Sequence, residues 1–259
     1  MEANTISIEK KKINLFILLC SIFLTNALVA EMVGSKLFSL EALLGAKPAA
    51  IQLFGQGPYS FTLTAGVLLW PVVFITTDVI NEYFGKSGVR KISFLTAGLI
   101  TYMFITIVAV TELPPAQLWL DLYPELKISE AFNTIFRQGL GIIIGSLTAF
   151  LVGQLVDVMT FQWLRRFTGS KKIWLRATGS TLVSQLIDSF VVLFVAFFIF
   201  GRMSMSEVLA IGVVNYIYKF SVAVLLTPLL YVAHYFIDRY LGKEASERIV
   251  EEASHSKLF

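Results

Sequence analysis

The feature of this sequence that most constrains its fold is a series of apolar segments, each about as long as a bilayer core is thick. Crossing the hydrocarbon core requires about 20 mainly apolar residues in a helix. We predict six such helices, over Ile13–Val33, Phe61–Ile80, Ile92–Val110, Gly139–Val158, Thr178–Phe200 and Val208–Ile237, the last with Pro228 inside it. The predicted fold class is therefore an all-α membrane protein with six transmembrane helices.

The composition agrees with that prediction. The chain is 56% hydrophobic and 15% charged, whereas soluble domains have about 45–50% apolar and about 25% charged residues. Glu31 and Lys36, rather than a small-residue cleavage site, close the first apolar segment, so we interpret it as a retained helix and not a signal peptide. Cys20 is the single cysteine and cannot form an internal disulfide.

Basic residues predict the orientation of the helices. Of the 21 Lys and Arg, 15 lie in the N-terminal segment, in the connections after the second and fourth helices, and in the C-terminal tail. Such an excess of positive charge marks the cytoplasmic side, so both termini are predicted there. The predicted parts are a cytoplasmic N-terminal segment (1–12), a six-helix transmembrane domain (13–237) and a cytoplasmic polar tail (238–259).

The segments outside the predicted helices are less informative. Residues 42–60 contain several glycines and prolines and are predicted to form turns. The stretch Trp119–Glu130 is predicted to lie at the membrane surface, with its aromatic residues at the level of the lipid headgroups. The mixed acidic and basic tail after Asp238 is compatible with a solvated helix or a disordered end.

Two short sequences suggest an internal repeat. Thr77-Asp78-Val79 closes the second predicted helix and Val156-Asp157-Val158 closes the fourth, and a basic turn and another helix follow each. Repeated units of this kind are common in transporter folds, with the binding site at their interface. The similarity is compatible with a repeated hairpin or with chance.

Polar residues inside the predicted helices are the main candidates for function, because a charge near the bilayer centre costs about 2.5–3.5 kcal/mol on insertion scales. These residues are Asn26, Glu31, Asp78, Asn81, Glu82, Gln154, Asp157, Ser184, Gln185, Asp188, Asn215 and Lys219. Several pairs, such as Asp78 and Glu82, are spaced three or four apart and so share a helix face. Beside this acidic cluster, Trp70 and Phe74 could stack on a planar ligand.

Two interpretations of these residues remain open. In the structural one, Asp188 and Lys219 form an internal ion pair, while Asp78 and Asp157 pair with Arg90, Arg165 or Arg166. In the functional one, the same side chains bind a polar solute.

Other chemistry is not predicted. The sequence has no Gly-rich phosphate loop followed by Lys and Ser or Thr, and its two histidines, His234 and His255, lie far from any pattern of zinc ligands or a catalytic triad. We therefore expect a protein that is not an enzyme and uses no cofactor or metal.

Several motifs resemble those of the queuosine precursor transporter family, also called the vitamin uptake transporter family. They are Thr77-Asp78-Val79-Ile80-Asn81-Glu82-Tyr83-Phe84-Gly85 with Arg90, Gly153-Gln154-Leu155-Val156-Asp157-Val158, Trp174, Ser180-Thr181, Ser184-Gln185-Leu186-Ile187-Asp188, Asn215-Tyr216-Ile217-Tyr218-Lys219 and Pro228. The resemblance covers most of the hydrophobic part of the chain, from Asn26 to Pro228.

This resemblance implies a multi-pass importer of the bacterial inner membrane for 7-cyano- or 7-aminomethyl-7-deazaguanine, precursors of a modified tRNA nucleoside. The partners it implies are a small deazapurine substrate and membrane lipid, with no nucleic acid; a homo-oligomer is left open. Our hypothesis is that Asp188 and Gln185 read the base from the fifth helix and that Asp78 and Asp157 complete a polar cavity. The full predicted substrate-binding set is Asn26, Trp70, Phe74, Asp78, Glu82, Gln154, Asp157, Gln185, Asp188, Asn215 and Lys219.

Two alternatives stay open at this stage. The chain could be the substrate-binding membrane subunit of a modular vitamin importer that separate ATPases drive. It could also be a scaffold or channel whose acids only pack helices or conduct ions.

Overall fold

The computed structural model describes residues 2–137, 140–168, 172–201 and 203–254, which form a bundle of long helices with a small strand region at one end. In chain order the elements are α1 (Glu2–Val33), β1 (Leu37–Ser39), α2 (Leu40–Leu43), β2 (Ile51–Leu53), β3 (Gln56–Tyr59), β4 (Thr62–Thr64), a 3₁₀ turn (Ala65–Leu68), α3 (Trp70–Thr111), α4 (Gln117–Asp121), α5 (Ile128–Phe136), α6 (Leu140–Thr168), α7 (Ile173–Leu193) with a π turn (Phe194–Ile199), α8 (Met205–Leu241) and α9 (Lys243–Ser254). Five of the described helices, α1, α3, α6, α7 and α8, are long and apolar enough to cross a membrane. The chain is a multi-pass membrane protein.

The 42-residue helix α3 reverses its direction at Gly85. That residue has φ 66° and ψ −170°, a region of backbone space open essentially to glycine alone. Thr77 and Ser93 flank it and each lies 3.5 Å from the same atom, Gln154 Oε1. Sixteen residues of straight helix would separate them by about 24 Å, so the two arms of α3 must run back alongside each other.

The two arms correspond to the second and third predicted helices, with different ends. The first arm begins at Trp70, with Pro71 in its first turn, because the preceding residues form β4 and the 3₁₀ turn. The predicted helix start at Phe61 is therefore wrong. The first arm is also shorter than a typical span, and the count of six crossings stays a prediction.

The other helices extend beyond the predicted apolar segments. The first helix begins at Glu2 and includes the polar residues before Ile13, and α6 continues past Val158 to Thr168. Hydropathy detects only the part of a helix that matches the lipid, so polar extensions are missed. Gly139, the predicted start of the fourth helix, lies outside the described residues.

The residues after α1 form an ordered cap, which we call the strand end. Here β1 pairs with β4 and β2 pairs with β3, both antiparallel. The predicted turns over 42–60 are present at Gly45 and Gly55, and short strands that the sequence did not predict lie between and after them. The Glu41 carboxylate accepts hydrogen bonds from the backbone N–H of Phe61 (2.7 Å) and of Ala49 (3.3 Å) and from the Ser39 hydroxyl (3.1 Å). These bonds, that of Phe61 first, lower the pKa of Glu41.

The opposite end of the bundle, which we call the Gly85 end, is closed by α9. Ser246, Ile249 and Ala253 are buried, so the part of the tail over 243–254 is neither a disordered segment nor a fully solvated helix. Arg165 of α6 donates a 2.7 Å hydrogen bond to the Val250 carbonyl, and Lys12 of α1 lies 3.4 Å from Glu252. The start of α1, the end of α6 and α9 therefore meet at this end.

Candidate functional site

A partly open cavity of about 60 Å³ lies between the first arm of α3, α7 and α8. Five residues of the predicted binding set contribute to its wall: Trp70, Phe74, Asp78, Gln185 and Lys219. Five of the eleven predicted binding residues therefore lie at this cavity.

One wall of the cavity is aromatic. The rings of Trp70 and Phe74 lie 6.0 Å apart between centroids with an angle of 30° between their planes, and Phe150 of α6 supports Trp70 at 5.9 Å. Both wall residues are half-buried, so part of each ring remains open to the cavity. A flat apolar surface of this kind suits a planar ring ligand.

The polar wall contains hydrogen-bonding atoms that the described residues do not satisfy. Asp78 is 5% exposed; its Oδ2 lies 3.5 Å from the Thr181 hydroxyl, and its Oδ1 has no hydrogen-bond partner among the described residues. The Gln185 amide nitrogen, in a residue 3% exposed, likewise has none there. Buried polar groups are normally paired because leaving them unpaired costs free energy. A ligand in the cavity could satisfy both.

Asp188 and Lys219 form an ion pair between α7 and α8. The structural interpretation of the sequence predicted this ion pair, and the prediction is confirmed. Lys219 contributes to the cavity wall, whereas Asp188 is not among the lining residues. Asp188 is therefore placed to hold the ammonium group, and its predicted role in reading a base stays a prediction.

Asp157 lies behind Asp78 and outside the cavity wall. It is 2% exposed, accepts a 3.1 Å hydrogen bond from the Ser184 hydroxyl, and its Oδ2 has no hydrogen-bond partner among the described residues. Gln154, one turn earlier on α6, contacts the Thr77 hydroxyl at 3.4 Å. Both of these predicted residues are next to the cavity without lining it.

A buried set of charges, which we call the charged layer, separates the cavity from the Gly85 end. Glu82 pairs with Arg176 at 2.7 Å and with Arg165 at 3.7 Å, and all three side chains are at most 8% exposed. Beside them Gln162 donates a 2.7 Å hydrogen bond to Asn81. Arg165, a predicted partner of Asp78 or Asp157, thus pairs with Glu82 instead. Glu82 lies in this layer and not in the cavity wall.

The remaining predicted residues do not reach the cavity. Asn26 donates a 2.8 Å hydrogen bond to the carbonyl of Ile22 within its own helix, and Asn215 is half-buried on α8 and is not among the lining residues. Sequence reasoning counted each as a polar residue in lipid but could not tell which way it points.

Two further residues of the cavity wall lie outside the predicted binding set. Thr181 and Tyr218 line the cavity; each lies one position or one turn from a predicted residue, which is the signal that could have found them. Tyr83 forms a further network, with its hydroxyl 2.9 Å from His234 Nδ1 and donating to Asp238 at 2.8 Å. This network at the Gly85 end gives His234 a structural role.

Comparison with known proteins places these features in context. A family model described as "Putative vitamin uptake transporter" matches residues 64–233, which include every cavity residue named above. The chain is 35% identical over 187 residues to a "Probable queuosine precursor transporter" of Bacillus subtilis, covering 71% of this chain and 74% of that protein.

Two further relatives have similar names. A "Probable queuosine precursor transporter" of Haemophilus influenzae is 30% identical, covering 74% of this chain and 77% of the relative. A "Queuosine precursor transporter" of Escherichia coli is 27% identical, covering 63% and 69%. No solved structure matches the chain.

Proposed function

We propose that this chain, which belongs to the queuosine precursor transporter family of vitamin uptake transporters, imports a 7-deazaguanine base across the bacterial inner membrane. The observation that supports this most directly is that Asp78 and Gln185, two residues lining a cavity with an aromatic wall, each have a buried polar atom without a hydrogen-bond partner among the described residues. The names of the three relatives support the same class of substrate. Import, rather than export, is the direction we propose.

The cavity chemistry fits a guanine-like base. Such a base presents adjacent N–H donors along one edge, which the Asp78 carboxylate can accept as charge-assisted hydrogen bonds. The Gln185 carboxamide can donate to a neighbouring acceptor of the base, and Trp70 and Phe74 can stack on its ring. In this arrangement Asp78, rather than Asp188, reads the base together with Gln185.

Lys219 provides a reason to favour the 7-cyano base over the 7-aminomethyl base. Lys219 lines the cavity, and its ammonium group could donate to the nitrile nitrogen, whereas it would repel the cationic aminomethyl group. Asp188 offsets part of that repulsion through its ion pair. We therefore propose a preference for the neutral cyano base.

The proposed topology has six crossings and the Gly85 end in the cytoplasm. Lys12, Lys86 and Arg90 all lie near that end of the bundle, and positive residues mark the cytoplasmic side of membrane proteins. In this topology the hairpin of α3 provides two of the crossings.

The test is the queuosine content of tRNA in bacteria that cannot make the precursor, express this chain alone and receive a low concentration of the cyano base. We expect wild-type protein to restore queuosine and Asp78→Asn to abolish it at equal membrane abundance. Asp121→Asn is the matched control, since Asp121 lies on the exposed helix α4, and it should behave as wild type.

Normal queuosine with Asp78→Asn would refute the assignment of Asp78. If wild-type protein in the membrane restored nothing unless ATPase subunits were added, a self-sufficient importer would be refuted.

A further inference from the structure

Two threonines of the cavity wall have no role in the binding mode above. Thr178 of α7 and Thr227 of α8 both line the cavity, and their hydroxyl oxygens lie 2.8 Å apart. The Thr227 hydroxyl also donates a 3.0 Å hydrogen bond to the carbonyl of Ala223 in its own helix. A hydroxyl group has one proton and two lone pairs, so Thr178 must be the donor between the two threonines.

The proton of every threonine in the cavity wall is therefore engaged within the protein. Thr181 donates to Asp78 at 3.5 Å, Thr178 donates to Thr227, and Thr227 donates to Ala223. What these side chains still offer is oxygen lone pairs, together with the Oδ1 atom of Asp78, which has no hydrogen-bond partner among the described residues. This part of the wall thus presents hydrogen-bond acceptors to a ligand.

Hydrogen-bond donors lie farther along the same wall. The ion pair of Lys219 with α7 lies ten residues after Thr178 on α7 and eight residues before Thr227 on α8, so the two helices run antiparallel. Gln185 lies between Thr178 and that ion pair, and its amide nitrogen is a free donor among the described residues. An ammonium group can only donate. The hydroxyl of Tyr218, next to Lys219, can donate or accept, so the division into a donor part and an acceptor part remains.

A 7-cyano-7-deazaguanine base has the same division around its rim. Its nitrile and its ring carbonyl are neighbours and accept hydrogen bonds, whereas the ring N–H, the amino group and the pyrrole N–H lie on the remaining rim. If the two acceptors point to Gln185 and Lys219, the N–H groups point to Asp78 and the threonine pair. Three residues, or about 4.5 Å of helix rise, separate Thr178 from Thr181, which Asp78 contacts. Asp78 and Thr178 can therefore accept from different N–H groups of one base.

We propose that Thr178 accepts a hydrogen bond from the pyrrole N–H of the base and that this contact selects free bases over their nucleosides. The inference rests on the proposed function and adds a specificity residue to it. In a nucleoside the sugar replaces the pyrrole proton, and a site that hydrogen-bonds an N–H group rejects a ligand without it because its own polar atom is left unpaired. Thr227 is a positioning residue, since by holding the Thr178 proton it keeps the Thr178 lone pairs available to the ligand.

The experiment measures equilibrium binding of labelled 7-cyano-7-deazaguanine to the full chain in detergent, with unlabelled compounds as competitors. The main competitor is the furo analogue of the base, in which an oxygen atom replaces the pyrrole N–H with almost no change of shape. Wild-type protein should bind this analogue at least about tenfold more weakly than the base, because two acceptors would then face each other. The nucleoside of the cyano base should not compete at concentrations at which the base does.

Thr178→Val keeps the shape of the side chain and removes its oxygen. It should bind the base about tenfold more weakly than wild type does and should bind the base and the furo analogue with similar affinity, which a purely structural role would not produce. Thr178→Ser keeps the hydroxyl group and should keep the preference for the base. Thr227→Val frees the Thr178 proton and should weaken that preference while the base still binds. Thr101→Val is the matched control, because the Thr101 hydroxyl bonds to the Ala97 carbonyl of its own helix outside the cavity wall.

The failures of the two proposals are distinguishable. An undiminished preference for the base in Thr178→Val, or equal binding of the base, the furo analogue and the nucleoside by wild-type protein, would overturn the role of Thr178 and leave the import of the base intact. The comparison of ligands on wild-type protein needs no substitution, so it decides the matter even where a variant does not fold. Wild-type protein that does not bind the base at all refutes the proposed function itself.

Discussion

The cavity and the charged layer are adjacent regions of one helix bundle, and each contains a buried acid. The acid in the charged layer is paired with cations, and the acid in the cavity wall is not. Asp78 and Glu82 lie one turn apart on the same arm of α3, and both are at most 5% exposed. Glu82 forms ion pairs with two arginines, whereas Asp78 has one long contact with a hydroxyl and no ion pair with a described residue. Residue type and spacing are alike for the two acids. The side chains that each one contacts are what make Glu82 stabilise the bundle and leave Asp78 available to a ligand.

The largest expected effect comes from breaking the charged layer. Arg176→Met should lower the free energy of unfolding by about 3–5 kcal/mol, because removing one partner leaves a buried charge poorly compensated. Thermal unfolding in detergent and the amount of protein in the membrane would measure this loss.

The control for that variant is Arg137→Met. Arg137 forms an ion pair with Glu112 in which both side chains are about half-exposed, and such pairs contribute about 0–1 kcal/mol. Equal stability losses in the two variants would show that the charged layer is not the special region we describe.

A smaller change in the free energy of unfolding, of opposite sign, is expected when Asp78 in the cavity wall is replaced. Asp78→Leu removes an unsatisfied carboxyl group, so the free energy of unfolding should stay constant or rise by about 1 kcal/mol, while uptake of the base is lost. Thermal unfolding and the tRNA queuosine assay, done on the same preparation of cells, would separate the two effects. A marked loss of stability would mean that Asp78 is structural like Glu82.

The smallest effect on stability is expected at the strand end, where Glu41 is a third buried acid to compare with Asp78 and Glu82. Its pKa is lowered by hydrogen bonds, that of the Phe61 N–H first, so it stabilises the strand end above its unfolded pKa of about 4.3. That contribution is lost as the pH falls through the lower folded pKa.

The rate of hydrogen exchange at the Phe61 amide would measure this contribution of the Glu41 carboxylate to the stability of the strand end. Glu41→Gln should speed exchange at pH 7, and the difference from wild type should shrink as acid protonates the wild-type carboxyl group. A difference that persists unchanged in acid would contradict the role of the charged form.

The sequence predicted the regions of this molecule that depend on local chemistry. The apolar segments located the long helices, and three of the nine predicted polar residues, Asp78, Gln185 and Lys219, line the cavity. A residue that is costly in lipid can be recognised without knowing its neighbours.

The features of the structure that the sequence did not predict depend on contacts between distant parts of the chain. Arg165 and Arg176 belong to the basic stretch between the fourth and fifth predicted helices, which the charge pattern assigns to the cytoplasmic side, whereas both side chains turn inward to Glu82, 83 and 94 residues away. The strand end was missed because its strands have only three or four residues, too few for an alternating pattern. The distinction between Asp78 and Glu82 could not be predicted, because the arginines that create it come from two other helices.

The position of α9 has a consequence for how the protein is made. The charged layer is fastened through Arg165 to the carbonyl of Val250, and Asp238 is joined to Ser246, so both contacts are made with α9. During synthesis the earlier helices enter the membrane before these residues leave the ribosome. The bundle must therefore persist for a time with its Gly85 end unfastened, until α9 has been made and has docked.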